Sequence, residues 1–191
     1  PFLNQDAALM TDGYRLPVNA FYADNAKAVI IALHGFNDYR NAFTPLCSYL
    51  SERNIHCYAY DQRGFGETTY RGLWPNDGIL QNDLATMTRL IKKKHPTLPV
   101  YIIGESMGGA VAMTTFASST APDIAGISLL APAVWARHTQ PWYQRLALWL
   151  MVRIAPGWKP DSKRFAVTVS DNYEMLKALS ADPLTIKGTR I

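Results

Sequence analysis

Three observations predict an α/β domain, a mostly parallel sheet with helices on both faces. Short apolar runs rich in β-branched residues recur along the chain, stretches with helical spacing separate them, and glycine-rich turns mark the junctions. The runs are apolar at nearly every residue and do not alternate. That is the pattern of strands covered on both faces, as in a parallel sheet between two helical layers.

The elements follow in order. From Ala7 to Ala23 the pattern alternates about Thr11-Asp12-Gly13, which predicts an antiparallel hairpin forming the first strands at a sheet edge. Ala28-Val29-Ile30-Ile31-Ala32-Leu33 reads as a buried strand stopping at His34-Gly35. A helix over 44–53 leads to the strand Ile55-His56-Cys57-Tyr58-Ala59-Tyr60, which ends in the loop Asp61-Gln62-Arg63-Gly64-Phe65-Gly66. Ile79, Leu80, Leu84, Met87, Leu90 and Ile91 give helical spacing up to His95-Pro96, where proline ends it. Lys92-Lys93-Lys94 close that helix, where cations suit the dipole. Val100-Tyr101-Ile102-Ile103 is the next buried strand, a small-residue helix runs from Met107 to Ala117, and Ile127-Ser128-Leu129-Leu130-Ala131 is the sixth strand. Beyond Pro132 the character changes, with Trp135, Trp142, Tyr143, Leu146, Leu148, Trp149, Leu150 and Met151 in an amphipathic helical region. Residues 1–133 are therefore expected to form the core, and 134–191 a helical cap laid over the sheet after the sixth strand.

Composition narrows the function. With 191 residues, 48% hydrophobic and 18% charged, the chain fits one globular domain. The richest apolar stretch, Leu146 to Ile154, is broken by Arg153 and is too short to span a bilayer. The net charge of +4 comes from scattered lysines and arginines, which reads as a solvated face and not a nucleic-acid surface. Cys47 and Cys57 fit neither a disulfide framework nor zinc-ligand spacing, so free thiols are expected. The first residue is Pro1, so any start codon, signal peptide or lipid-attachment segment is expected to have been removed or to lie upstream, and the compartment is not read from this chain.

The chemistry concentrates at Gly104-Glu105-Ser106-Met107-Gly108. A G-x-S-x-G turn from a buried strand into a helix holds serine in a strained backbone conformation that lifts its hydroxyl above the sheet edge. An acyl-transfer serine also needs N–H donors aimed at the oxyanion that forms on attack. The Met107 N–H at the helix N-terminus is one, and the Phe36 N–H in His34-Gly35-Phe36 is the other. His34 precedes Ser106 by a whole βα unit and is expected to shape its loop instead of acting as base. His56 is expected to be a satisfied strand histidine, His95 a helix C-cap, and Asp61 a turn-forming residue.

These segments together resemble the monoacylglycerol lipase and lysophospholipase branch of the α/β-hydrolase family: His34-Gly35-Phe36, Asp61-Gln62-Arg63-Gly64-Phe65-Gly66 and Gly104-Glu105-Ser106-Met107-Gly108-Gly109 fall in order. The likeness covers Ala7 to Ala133, and Ala181-Asp182-Pro183-Leu184 looks like a cap segment of bacterial members. The resemblance implies hydrolysis of lipid monoesters by a Ser-Asp-His triad with no cofactor and no metal. It places Ser106 at the nucleophile and Phe36 and Met107 at the oxyanion positions. The implied partner is a small ester or lipid, with room for contact at a membrane surface.

In that family the acid and histidine follow two later strands, beyond the cap. Both are expected past Ile191, with the C-terminal strands absent from this chain and a longer parent protein implied. The in-chain alternative, Asp123 with His138, needs an unusual geometry. Serine at the elbow argues against epoxide hydrolase or dehalogenase chemistry, which needs aspartate there. Thioesterase, peptidase and perhydrolase activity stay open, as does a non-catalytic binding protein on the same fold.

Overall fold

The four apolar runs form the parallel part of a seven-stranded sheet in the computed structural model, which describes residues 1–76, 78–134, 140–155 and 172–187. They are β4 (Ala28–Leu33), β5 (Ile55–Tyr60), β6 (Val100–Glu105) and β7 (Gly126–Leu130). The antiparallel strands β2 (Ala7–Leu9) and β3 (Arg15–Phe21) form the expected hairpin, and β3 pairs antiparallel with β5. A further two-residue strand, β1 (Phe2–Leu3), pairs with β2, so the last strand before the predicted cap is the seventh and not the sixth. Two residues are too few to show a period.

The strand order is β1-β2-β3-β5-β4-β6-β7. The chain leaves β4 to one side for β5, then returns past it to β6, so β4 and β6 flank the point where the winding reverses. Leu33 lies opposite both Tyr60 and Gly104, and Glu105 lies opposite Leu130. The carboxyl ends of these strands therefore finish at one sheet edge, where open α/β sheets build their sites.

Helices cover both faces because the strand residues alternate between two cores. One holds Val29, Ile31, Leu33, Tyr58 and Tyr60 against Leu80, Leu84, Met87 and Ile91 of α2 (Ile79–Lys94) and Val111 and Ala112 of α3 (Met107–Phe116). Burying each larger side chain contributes about 1.5–3 kcal/mol. The other holds Ile30, Ala32, Cys57 and Ala59 against Phe43 and Cys47, where a 3₁₀ turn (Arg40–Phe43) leads into α1 (Thr44–Ser51).

The expectation of free thiols is corrected by this second core. Cys47 on α1 and Cys57 on β5 have Cα atoms 5.2 Å apart and are joined in a buried disulfide. One cysteine sits on a helix and the other on a strand, so only the docking of α1 onto the sheet brings them together.

After β7 the described residues form α4 (Trp142–Ile154) and α5 (Tyr173–Ala181), neither of which buries a side chain fully. No described helix is long and apolar enough to cross a membrane. Trp135 and His138 lie outside the described residues.

Candidate active site at the strand-to-helix elbow

Ser106 joins β6 to α3 with φ 48° and ψ −109°, a conformation that L residues rarely adopt. Glycines make the turn sterically accessible. A Cβ on Gly104 would lie 2.6 Å from the Gly108 carbonyl oxygen, and one on Gly108 would lie 2.4 Å from that of Leu33. The first turn of α3 thus rests directly on the ends of β6 and β4. Strain of about 1–3 kcal/mol at such a residue persists only if its surroundings hold it. Here the Ser106 N–H donates to the Leu130 carbonyl at 2.9 Å, and its own carbonyl accepts from Ala110 at 3.1 Å and Ala133 at 2.9 Å.

The side chain of Ser106 is half-buried, and among the described residues no side chain hydrogen-bonds its hydroxyl. Ala110 is the first α3 residue whose N–H closes onto Ser106, leaving those of Met107, Gly108 and Gly109 at the positive end of the helix dipole. The loop after β4 runs alongside, since a Cβ on Gly35 would sit 3.5 Å from the Ser106 Cβ. Phe36 follows Gly35, so the two predicted donor segments converge on the elbow. Its ring packs on Phe65 at 5.6 Å and on Trp74 at 6.0 Å between centroids. Trp74 also walls a cavity of about 260 Å³ shared with Met107, Ala110 and Val111.

His34 serves the loop, as expected. Its Nδ1–H donates to the Gly35 carbonyl at 2.8 Å, and Nε2 accepts from the Gln62 N–H at 3.0 Å. Complete burial pushes its pKa down to about 4, so the ring is neutral at pH 7. The folded value lies below the unfolded one of about 6.5, so this stabilisation is complete above pH 6.5 and is lost as pH falls toward 4. The swing is about 3 kcal/mol. Urea midpoints at pH 7 and pH 4.5 should therefore differ more for the wild type than for His34→Asn; equal differences would remove His34 as the cause.

The other two described histidines stand at the far end of the sheet. His56, near the start of β5, accepts from the Ala23 N–H, and His95 caps α2 and hydrogen-bonds the Tyr58 hydroxyl at 2.7 Å. Asp123 precedes β7 at that same far end, with its side chain exposed and paired to Lys92. The described residues therefore do not bring Asp123 to Ser106, and its suggested partner His138 lies outside them.

Two ion-pair networks, each centred on a buried carboxylate, fix the loop after β5, and neither shows in a local sequence pattern. Asp61, fully buried, accepts from the backbone N–H groups of Arg40 and Glu67 and pairs with the Arg40 guanidinium. Burial pushes its carboxyl up while these partners oppose the rise. Arg63 bridges Asp83 on α2 and Asp12 in the β2–β3 turn, and its guanidinium stacks on the Tyr14 ring at 4.1 Å. Residues 61–76, which carry Phe65 and Trp74 to Phe36, are thus pinned at their start. On the site's rim, burial and the nearby Asp38 charge push the Glu105 carboxyl up.

Comparison with known proteins places the chain by family and by fold. The family described as serine aminopeptidase, S33, matches residues 24–191. A monoacylglycerol lipase of Mycolicibacterium smegmatis is 25% identical over 179 residues, covering 92% of this chain and 63% of that protein. The human monoglyceride lipase is 30% identical over 111 residues, 58% of this chain and 36% of that protein. The chain thus spans less than two thirds of the length of these relatives. Among solved structures, a soluble variant of the Saccharomyces cerevisiae monoglyceride lipase superposes with a TM-score of 0.73 at 20% identity, covering all of this chain and 68% of that one. The fold is that of the α/β-hydrolases, and with a match running from residue 24 through residue 191 the chain belongs to the serine aminopeptidase S33 family.

Proposed function

We propose that Ser106 is the nucleophile of a serine carboxylic-ester hydrolase acting on monoacylglycerol-like or lysophospholipid-like esters. The observation that carries the reading is the strained Ser106 backbone, held between glycines at the carboxyl edge with helix N–H groups beside it. In the proposed reaction the Ser106 Oγ attacks the ester carbonyl and its proton passes to a general base. The carbonyl oxygen gains the negative charge and accepts hydrogen bonds from the N–H groups of Phe36 and Met107. The carbonyl re-forms as the alcohol leaves with the proton, and water then attacks the acyl-serine to release the acid.

The three described histidines are engaged away from Ser106, so the base and its orienting carboxylate are assigned outside the described residues. Residues 134–191 are assigned to a cap. Its exposed Trp142, Tyr143, Leu146 and Trp149 offer the apolar surface an acyl chain needs, in keeping with relatives named monoacylglycerol lipases.

The lack of a described base beside Ser106 also suits a second reading, a non-catalytic binding protein on this fold. A fluorophosphonate probe separates the two, because it reacts with serines activated by a base. A single adduct on Ser106 of the full-length protein, with turnover of medium-chain monoacylglycerol, supports the hydrolase; no adduct and no turnover supports the binding protein.

A further inference from the structure

The turn that carries Phe36 runs from Gly35 to Asp38 and is closed by the Asp38 N–H donating to the Gly35 carbonyl at 3.3 Å. Its third residue, Asn37, has φ 66°, a left-handed conformation that asparagine tolerates at some cost. Two more local bonds lie at its ends, from the His34 ring to the Gly35 carbonyl at 2.8 Å and from the Tyr39 N–H to Asp38 Oδ1 at 2.8 Å. Two bonds from the far end of the chain grip it. The Ile186 N–H donates to the Asn37 carbonyl at 3.0 Å, and the Tyr39 hydroxyl donates to Asp182 Oδ2 at 2.6 Å.

Both ends of this grip are themselves anchored. The other Asp182 oxygen accepts from the Leu184 N–H at 2.8 Å, so the segment after α5 is folded around the carboxylate. The bond from Tyr39 holds the Asp182 carboxyl below the usual range. Tyr39 is buried, and its hydroxyl accepts from Asn41 Nδ2 at 3.0 Å. The Asn41 side-chain oxygen accepts in turn from Asn19 on β3 at 2.8 Å, and the Asn19 oxygen accepts from Arg40 Nε at 2.9 Å. A continuous chain of hydrogen bonds therefore runs from the residues after α5, through the turn, to the Arg40–Asp61 pair.

We infer that Asp182 is a positioning residue: together with Ile186 it clasps the Gly35–Asp38 turn and sets where the Phe36 N–H stands relative to Ser106. The inference rests on the reading of Phe36 as an oxyanion donor. Asp182 touches no reacting atom. It acts through Tyr39 on a donor whose value depends on being in place before the charge develops. It also joins the region assigned to the cap to the oxyanion loop, so a displacement of one is felt at the other.

The test uses the full-length protein with p-nitrophenyl butyrate. Tyr39→Phe and Asp182→Ala should each lower kcat by about tenfold with KM changed by less than about twofold, the pattern of an interaction used mainly in the transition state. The double variant should lose no more than either single one, because both break the same bond. Asp182→Asn, which keeps one acceptor oxygen, should recover part of the loss. Values of kcat within about twofold of wild type, or losses that multiply, would overturn the clasp. Hydrogen exchange of the peptide containing Phe36 to Tyr39 gives a readout independent of turnover and should speed up in both single variants. If the wild type shows no Ser106-dependent turnover, the hydrolase reading fails, and unchanged exchange in Asp182→Ala then overturns the clasp separately.

Discussion

Ser106→Ala in the full-length protein is expected to reduce kcat on a p-nitrophenyl ester by about a thousandfold or more. In the proposed reaction the substitution removes the attacking atom and leaves the N–H groups of Phe36 and Met107 in place, so the activity that remains would measure binding and oxyanion stabilisation alone. The thermal midpoint should move by only a few degrees. Alanine is no worse suited than serine to φ 48°, and no described side chain hydrogen-bonds the lost hydroxyl. Stopped-assay kinetics and a melting curve on the same preparation check both halves. Retained turnover would assign the attack to another residue, and a collapse of the melting midpoint would make the kinetic loss uninformative.

Arg63→Met should destabilise the fold by about 3–5 kcal/mol. Arg63 and Asp83 are 10% and 5% exposed at their side chains, so losing the guanidinium strands a carboxylate away from water. Burial already pushes the Asp83 carboxyl up, and the bonds from Arg63 oppose it. Without them the neutral acid is favoured more strongly in the folded state. A folded pKa above the unfolded value means that protonation stabilises the fold, so the gap between variant and wild type should narrow as pH falls from 7 to 5. Urea midpoints at the two pH values measure this, and Arg63→Met combined with Asp83→Leu should recover much of the loss. A gap independent of pH would show that the cost comes from lost packing against Tyr14 instead.

The core strands were legible because their signal is local. Ala28–Leu33 and Ile55–Tyr60 have the bounds read from the sequence, each being an apolar run stopped by a turn. The elbow was legible for the same reason, since Gly104, Ser106 and Gly108 lie within five residues and carry the steric requirement themselves. What escaped depends on partners distant along the chain. Cys47 and Cys57 meet across a helix and a strand, Arg63 reaches Asp12 across 51 residues, and Tyr39 reaches Asp182 across 143. No periodicity encodes such pairs, and a charge or thiol read singly defaults to the surface or to a free group. Phe2–Leu3 escaped for the opposite reason, being too short to differ from any exposed tail.

The conformation at Ser106 separates delivery from chemistry. Glycines 104 and 108 and the carbonyls of Leu33 and Leu130 decide where the side chain at 106 points, and none of them depends on what that side chain is. A thiol or a carboxylate mounted there would arrive at the same spot. The identity of the group presented at 106 is thus set by a single codon, while its aim is set by the main chain around it, and the two can change independently.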